Sequence, residues 1–364
     1  MKVIFILNLF CNPNSIKRIE EFKAKGYDVE AYGFDRKLGV VNVPENIDMK
    51  VIGEFSNSMP YSKRIPILYL GIKKVLENRN TKECLYYLVG LEVALCFLAQ
   101  KHGRYIYEEA DLVQTVFNNK ILERIFEVLD KMVIRMSVVS VFRSEGFLKY
   151  HFKEKVPSNV YVIPNRLNPS VGNLSAVRHK DIDINKLKIG FVGFIRYKSI
   201  FNFAKVFCNN FPLCEFHFYG TFTTSGNEKL FSPLKELSNC FFHGKFTSPD
   251  DLPSIYSQID LVLSAYDITS ENVRYAESNK IYEAIFFETP IIVTSGTYVA
   301  EKVKKLGIGY AIEAMNDNEI VCFINNLTKE SLDEKKECMR RINKRDVINV
   351  NDQFFEKLNN LLKG

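Results

Sequence analysis

The sequence predicts an α/β protein built from two doubly wound parallel-sheet domains in series, and three observations lead there. Short apolar, β-branched runs alternate with stretches of helical periodicity along nearly the whole chain. The alternation stops once, over a polar stretch at 168–186 (NPSVGNLSAVRHKDIDINK), and then restarts. The length of 364 residues suits two domains of about 100–200 residues each. We therefore expect a first domain over 1–166, a linker over 167–186 and a second domain over 187–345. A terminal helix within 346–364 is expected to cross back to the first domain. No segment repeats at fixed spacing, so a solenoid is excluded.

In the first half, KVIFIL (2–7) reads as a buried strand. A polar loop (NLFCNPNS) follows, then a helix carried by Ile16, Ile19 and Phe22 and closed by Gly26, then a strand YDVEAYG. The first loop has no GxGxxG, which argues against a dinucleotide cofactor. Residues 40–55 alternate weakly, with a strand from Met49. A helix is expected over Ile65–Asn78, its start fenced by Pro60 and Pro66. CLYYLV is a strand, Gly90–His102 a helix, and Tyr105-Ile-Tyr a strand leading into Glu108-Glu109-Ala110-Asp111. A helix over 119–136, a strand over 137–142, a helix capped by Ser144 and a run at 159–166 complete this half.

The second half holds LKIGFVGFI, a helix over 203–211, EFHFYG ending in Gly220, and CFFHG ending in Gly244. A short helix at 250–256, the strand IDLVLS and the strand GIGYAI follow, with a helix from Asn316 and two amphipathic helices at the end. Within it, Ser278–Thr294 (SNKIYEAIFFETPIIVT) reads as helix, sharp turn and buried strand. Ile281, Ala284 and Ile285 share one face, and Asn279, Lys280 and Glu283 stand at the start or polar side. A cation and hydrogen-bonding groups at a helix start suit a phosphorylated ligand. Ligands in such sheets bind beyond the carboxyl ends of the strands, and two facing domains form a cleft.

Composition sets the broad class. With 46% hydrophobic and 25% charged residues, there is material for two cores in an ordinary water-soluble protein. No apolar run approaches the roughly 20 residues that span a bilayer. MKVIFILNLF is interrupted by Asn8 and has no small-residue cleavage site, so we read a first strand and not a signal peptide. Eight cysteines without a CxxC pair suit reduced, packing thiols in a cytoplasm. Five histidines lack metal-ligand spacing, so no structural metal is expected. The net charge of +6 sits in the first half: 24 basic against 19 acidic residues up to 165, and 25 against 24 beyond. That mild bias favours an anionic membrane surface or phosphorylated acceptor, while the absence of a basic stripe argues against nucleic acid.

The order of blocks resembles glycosyltransferases of the GT-B fold, in the broad group of retaining family-four-like enzymes. The blocks are VIPNR (162–166), IGFVGFIRYK, FYG, FHG, IYSQIDLVL and SNKIYEA…TPIIVT. The last is similar to the PNKLFEY…GKPVI segment of bacterial capsule and surface-polysaccharide enzymes. The resemblance implies two Rossmann-like domains, an acceptor held by the first and a nucleotide sugar, UDP- or GDP-linked, held by the second. It implies no metal or other cofactor, and a lipid-linked glycan acceptor at the cytoplasmic face of a membrane, with peripheral contact to anionic lipid.

The donor-binding candidates are Gly193, Arg196, Lys198, Gly220, Gly244, Phe246, Asn279, Lys280 and Glu283. Arg196 or Lys198, and Lys280, would stabilise charge on the leaving diphosphate. Gly193 lets the backbone approach a phosphate. Glu283 would accept from the ribose hydroxyls, as the matching glutamate does in the family. Glu109, Asp111 and Lys280 are the catalytic candidates, and Asn12 and Asn14 the acceptor contacts. The sequence departs from the family in three places: Tyr275 stands eight positions before Glu283 where relatives carry a second glutamate, Ala110 replaces a histidine, and Glu288 precedes Thr289-Pro290 where relatives have glycine. These departures leave retention or inversion open. They also leave two alternatives: a degenerate nucleotide-sugar-binding or assembly partner, and a nucleotide-sugar epimerase on the same fold.

Overall fold

The computed structural model describes all residues except 38–46, 57, 78, 80–82, 101–102, 117–118, 153–154, 175–180 and 364. Expectations for 40–46, for the helix ends at Asn78 and His102 and for the middle of the 167–186 stretch lie outside the described residues. The chain divides into two compact units, Met1–Pro164 with Asn351–Gly364, and Asn165–Val350.

The first unit holds seven strands: β1 (Lys2–Leu7), β2 (Asp28–Asp35), β3 (Met49–Glu54), β4 (Cys84–Val89), β5 (Arg104–Glu109), β6 (Val139–Phe142) and β7 (Val160–Val162). They form one parallel sheet in the order β3-β2-β1-β4-β5-β6-β7. The strand order reverses between β1 and β4, which is where a doubly wound sheet opens its crevice. Val3, Phe5 and Leu7 of β1 pack with Leu85 and Tyr87 of β4 against Ile19 and Phe22 of helix Pro13–Ala24. The helix Asp352–Lys363 closes the same core with Phe354, Phe355 and Leu358. The Phe22 and Phe355 rings meet edge-on at 4.9 Å, and Lys25 pairs with Asp352 at 2.5 Å. Each buried apolar side chain contributes about 1.5–3 kcal/mol, enough to hold a 12-residue helix to a unit distant in sequence.

One expectation needs correcting. Pro66 does not fence its helix but lies inside it, in Tyr61–Leu76. The buried face Leu68, Ile72, Val75 and Leu76 outweighs the one backbone bond the proline removes, and Pro66 itself is exposed.

The second unit holds β8 (Lys188–Val192), β9 (Glu215–Tyr219), β10 (Cys240–Gly244), β11 (Leu261–Ser264), β12 (Ile291–Thr294) and β13 (Gly309–Ile312). These strands are also parallel, in the order β10-β9-β8-β11-β12-β13, with the reversal between β8 and β11. Alternate residues feed opposite faces: Leu261 and Leu263 join one core, and Val262, Ile291 and Val293 the other. That double burial is why the runs read as continuously apolar.

Candidate active site

The carboxyl ends of β8 and β11 flank the reversal point of the second sheet, and the GFIRYKS loop leaves from β8 there. Three neighbouring strands finish in a glycine with positive φ: Gly193 after β8 (+135°), Gly220 after β9 (+140°) and Gly244 ending β10 (+78°). Their backbones are stitched together, Gly193 N–H donating to Tyr219 O and Gly220 N–H to Gly244 O, both at 2.7 Å. A Cβ at Gly220 would fall 1.9 Å from Gly193 O, and one at Gly193 would fall 2.9 Å from Lys280 Nζ. The floor of this crevice is therefore bare backbone with an ammonium group beside it.

Lys280 opens the helix Lys280–Phe286, which buries Ile281, Tyr282, Ala284 and Ile285. Its half-buried side chain places Nζ 5.6 Å from the Phe191 ring centroid. Burial works to lower its pKa, but the Tyr266 and Tyr197 hydroxyls and Glu283 outweigh it, so the group is held above the ordinary lysine value. Glu283, one turn on, accepts from the buried Tyr256 hydroxyl at 2.7 Å. Asn279, the N-cap residue, makes no side-chain capping bond; Ser278 Oγ, one residue earlier, accepts from Lys280 N–H at 3.3 Å and meets Tyr266 OH at 3.0 Å. Arg196 and Lys198 are exposed, and Arg196 donates to Tyr197 OH at 2.6 Å. Phe246 is half-buried against the core.

The helix that starts at Lys198 does not offer its N-terminus to a ligand. Asp267, beyond β11, accepts from the Lys198 and Ser199 N–H groups at 2.9 and 2.7 Å. The sequence left Asp267 open between a sugar contact and a turn residue. Nor did it single out Tyr197, whose ring meets Tyr266 at 4.6 Å; its place in the GFIRYKS loop was the available signal. Glu277 does not replace the glutamate missing at 275. Its carboxylate is enclosed, ion-paired with Lys302 at 2.5 Å and hydrogen-bonded by Tyr282 OH.

In the first unit the two adjacent glutamates of β5 face different surroundings. Glu108 lies between guanidinium groups, 2.5 Å from Arg143 Nε and 3.8 Å from Arg18 Nε, and accepts from Tyr87 OH. Burial pushes its pKa up, but the two arginines outweigh that and keep it below the usual range. Glu109 is 0% exposed. Its Oε1 lies 2.8 Å from His151 Nε2, and burial pushes its carboxyl up to about 8. Enclosed in this way, it has no open side for an incoming hydroxyl, whereas Asp111 is exposed. Asn12 caps helix Pro13–Ala24, accepting from Asn14 N–H at 3.0 Å. Close by in the chain, Arg36 donates to Asn8 O at 2.9 Å and pairs with the buried Glu92 at 3.0 Å. Asn8 lies against Gly90, so this group stands at the β1/β4 reversal point. No sequence motif marks it.

No family model matches the sequence, and no curated protein sequence does. Solved structures match over its whole length. A sucrose-phosphate synthase from Thermosynechococcus elongatus aligns over 100% of both chains with a TM-score of 0.72 at 12% identity. The chain has the fold of GT-B glycosyltransferases. HepE of Anabaena, in complex with UDP, aligns over 99% of this chain and 100% of its own, with a TM-score of 0.66 at 14% identity. WaaG, a glycosyltransferase involved in lipopolysaccharide biosynthesis, aligns over 95% and 97%, with a TM-score of 0.63 at 13% identity.

Proposed function

We propose that this protein is a glycosyltransferase that moves a sugar from a UDP- or GDP-linked donor to a lipid-linked or glycan acceptor in bacterial surface-polysaccharide synthesis, with retention. The observation that carries the reading is the Lys280 ammonium held against the side-chain-free turn of Gly193 at the reversal point of the second sheet. A nucleotide sugar departs as a nucleoside diphosphate, so charge grows on the leaving oxygen. Lys280 and the exposed Arg196 and Lys198 meet that charge, and Gly193 and Gly220 let phosphate oxygens approach the backbone. Glu283 accepts from the ribose hydroxyls. The complex of HepE with UDP supports this donor class, and the likeness to WaaG supports the surface-glycan role. The transfer itself requires no metal in this reading.

In the first unit, Asn14 and Asp111 orient the acceptor. Peripheral membrane contact is supported by helix Lys120–Met136. Ile121, Ile125, Val128, Met132 and Met136 form one exposed stripe at spacings of three and four, and Lys120, Arg124, Lys131 and Arg135 flank it on one side. Transfer assayed across UDP- and GDP-sugars tests the reading. Lys280→Ala is expected to lose about 10²–10³-fold in rate while melting like the wild type. Full activity in Lys280→Ala would remove the site assignment.

A further inference from the structure

Glu109 from the end of β5, Asp130 from helix Lys120–Met136 and His151 from helix Glu145–His151 bring one donor atom each to within 4.8 Å of one another. We propose that these three residues, with Gln114 beside them, hold one divalent transition-metal ion that is closed to solvent and structural in role. The site does not depend on the glycosyltransferase reading.

Charge is the first argument. Glu109 and Asp130 are both 0% exposed, and among the described residues no lysine or arginine pairs with either. Glu108, the adjacent residue, has two guanidinium partners. Two buried carboxylates need protons or a cation, and a divalent ion with a neutral imidazole balances them. Geometry is the second. His151 Nε2 stands 2.8 Å from Glu109 Oε1 and 3.5 Å from Asp130 Oδ2. Tetrahedral ligands about 2.0–2.1 Å from a metal stand roughly 3.3 Å apart, which these separations bracket.

The third argument is what remains unsatisfied. Glu109 Oε2, Asp130 Oδ2, His151 Nδ1 and both amide atoms of Gln114 are buried without a hydrogen bond of ordinary geometry, although Asp130 and Gln114 both lie close enough to Glu109 to interact with it. Gln114 is 0% exposed and lies beside Glu109. A proton shared by the carboxylates would still leave the Gln114 amide oxygen without a donor. A metal ion takes the free carboxylate oxygen and the amide oxygen as ligands. Phe142 and Phe152, with ring centroids 5.6 and 5.7 Å from His151, wall the group with apolar surface. One nitrogen and three oxygen donors suit zinc or manganese. The donors come from three elements far apart in the chain, so histidine spacing could not reveal them.

The test uses untagged full-length protein purified without added metal. Elemental analysis should find about one equivalent of a divalent transition metal per chain. Removal by dipicolinate should lower Tm by at least several degrees, and one equivalent of Zn²⁺ or Mn²⁺ should restore it. Asp130→Asn should lose the retained metal, and Gln114→Ala should weaken retention if Asp130→Asn does not fold. Metal-free protein whose Tm is unmoved by Zn²⁺ and Mn²⁺ would overturn the proposal in favour of a shared proton. Equal metal retention in both variants would overturn it as well.

Discussion

Gly220 has no side chain to offer a ligand, yet among the described glycines it is the one that an added Cβ would crowd most closely. A Cβ there would meet Gly193 O at 1.9 Å, in a backbone conformation that side chains rarely adopt. Gly220→Ala is expected to cost about 2–5 kcal/mol by urea unfolding, the sum of positive-φ strain and overpacking. Gly193→Ala differs, because the atom it meets is the flexible end of Lys280. We expect about 1–3 kcal/mol of destabilisation and a drop of at least about tenfold in donor affinity, as the ammonium is displaced. Equal effects at both positions would contradict this division of roles. Much of the candidate site was legible at this scale: Gly193, Gly220, Lys280 and Glu283 each stood out as candidates by residue type after a strand or at a helix start. The enclosure of Glu109 was invisible, since Asp130 and His151 reach it only through tertiary packing.

Elements carry the next set of outcomes. Replacing Ile125 and Val128 together by glutamate should abolish binding to anionic vesicles and leave Tm nearly unchanged, because both side chains are exposed. Retained vesicle binding would rule out this face as the docking surface. Phe355→Ala, on the terminal helix, should cost about 3–5 kcal/mol, the usual loss for a buried phenylalanine. On β2, Glu30 is held at a pKa of about 2, first by its hydrogen bond from Arg79 and further by Lys2 and Tyr32. A depressed carboxyl stabilises above its unfolded value of about 4.5 and loses that contribution as pH falls through about 2. Glu30→Gln should therefore flatten the decline in stability between those pH values; an unaltered decline would show that the contact contributes nothing. Strands and long helices were legible because apolar runs and helical periodicity are strong signals. The short helices Ser225–Phe231 and Glu271–Tyr275 were not, since one or two turns carry too little pattern. Tyr298–Leu306 had its Thr297 cap and left-handed Gly307 as signals.

The two units repeat one strand order, 3-2-1-4-5-6, with a seventh strand added to the first. The sequence showed the alternation that produces such sheets. It did not show the order itself, which determines that the loops after β8 and β11 flank the crevice. The terminal helix was readable as amphipathic, and its Phe354-Phe355 pair explains which unit it joins. The claim on which the functional reading stands is that the second unit grips a nucleoside diphosphate through Lys280. Thermal unfolding in the presence of UDP, GDP and their sugars tests it most directly, because a ligand that binds only the folded chain raises Tm. We predict that one nucleotide class raises the wild-type Tm in a concentration-dependent way and that Lys280→Ala needs at least about tenfold more ligand for the same rise. No shift with any of them, or the same shift in Lys280→Ala, would contradict the account.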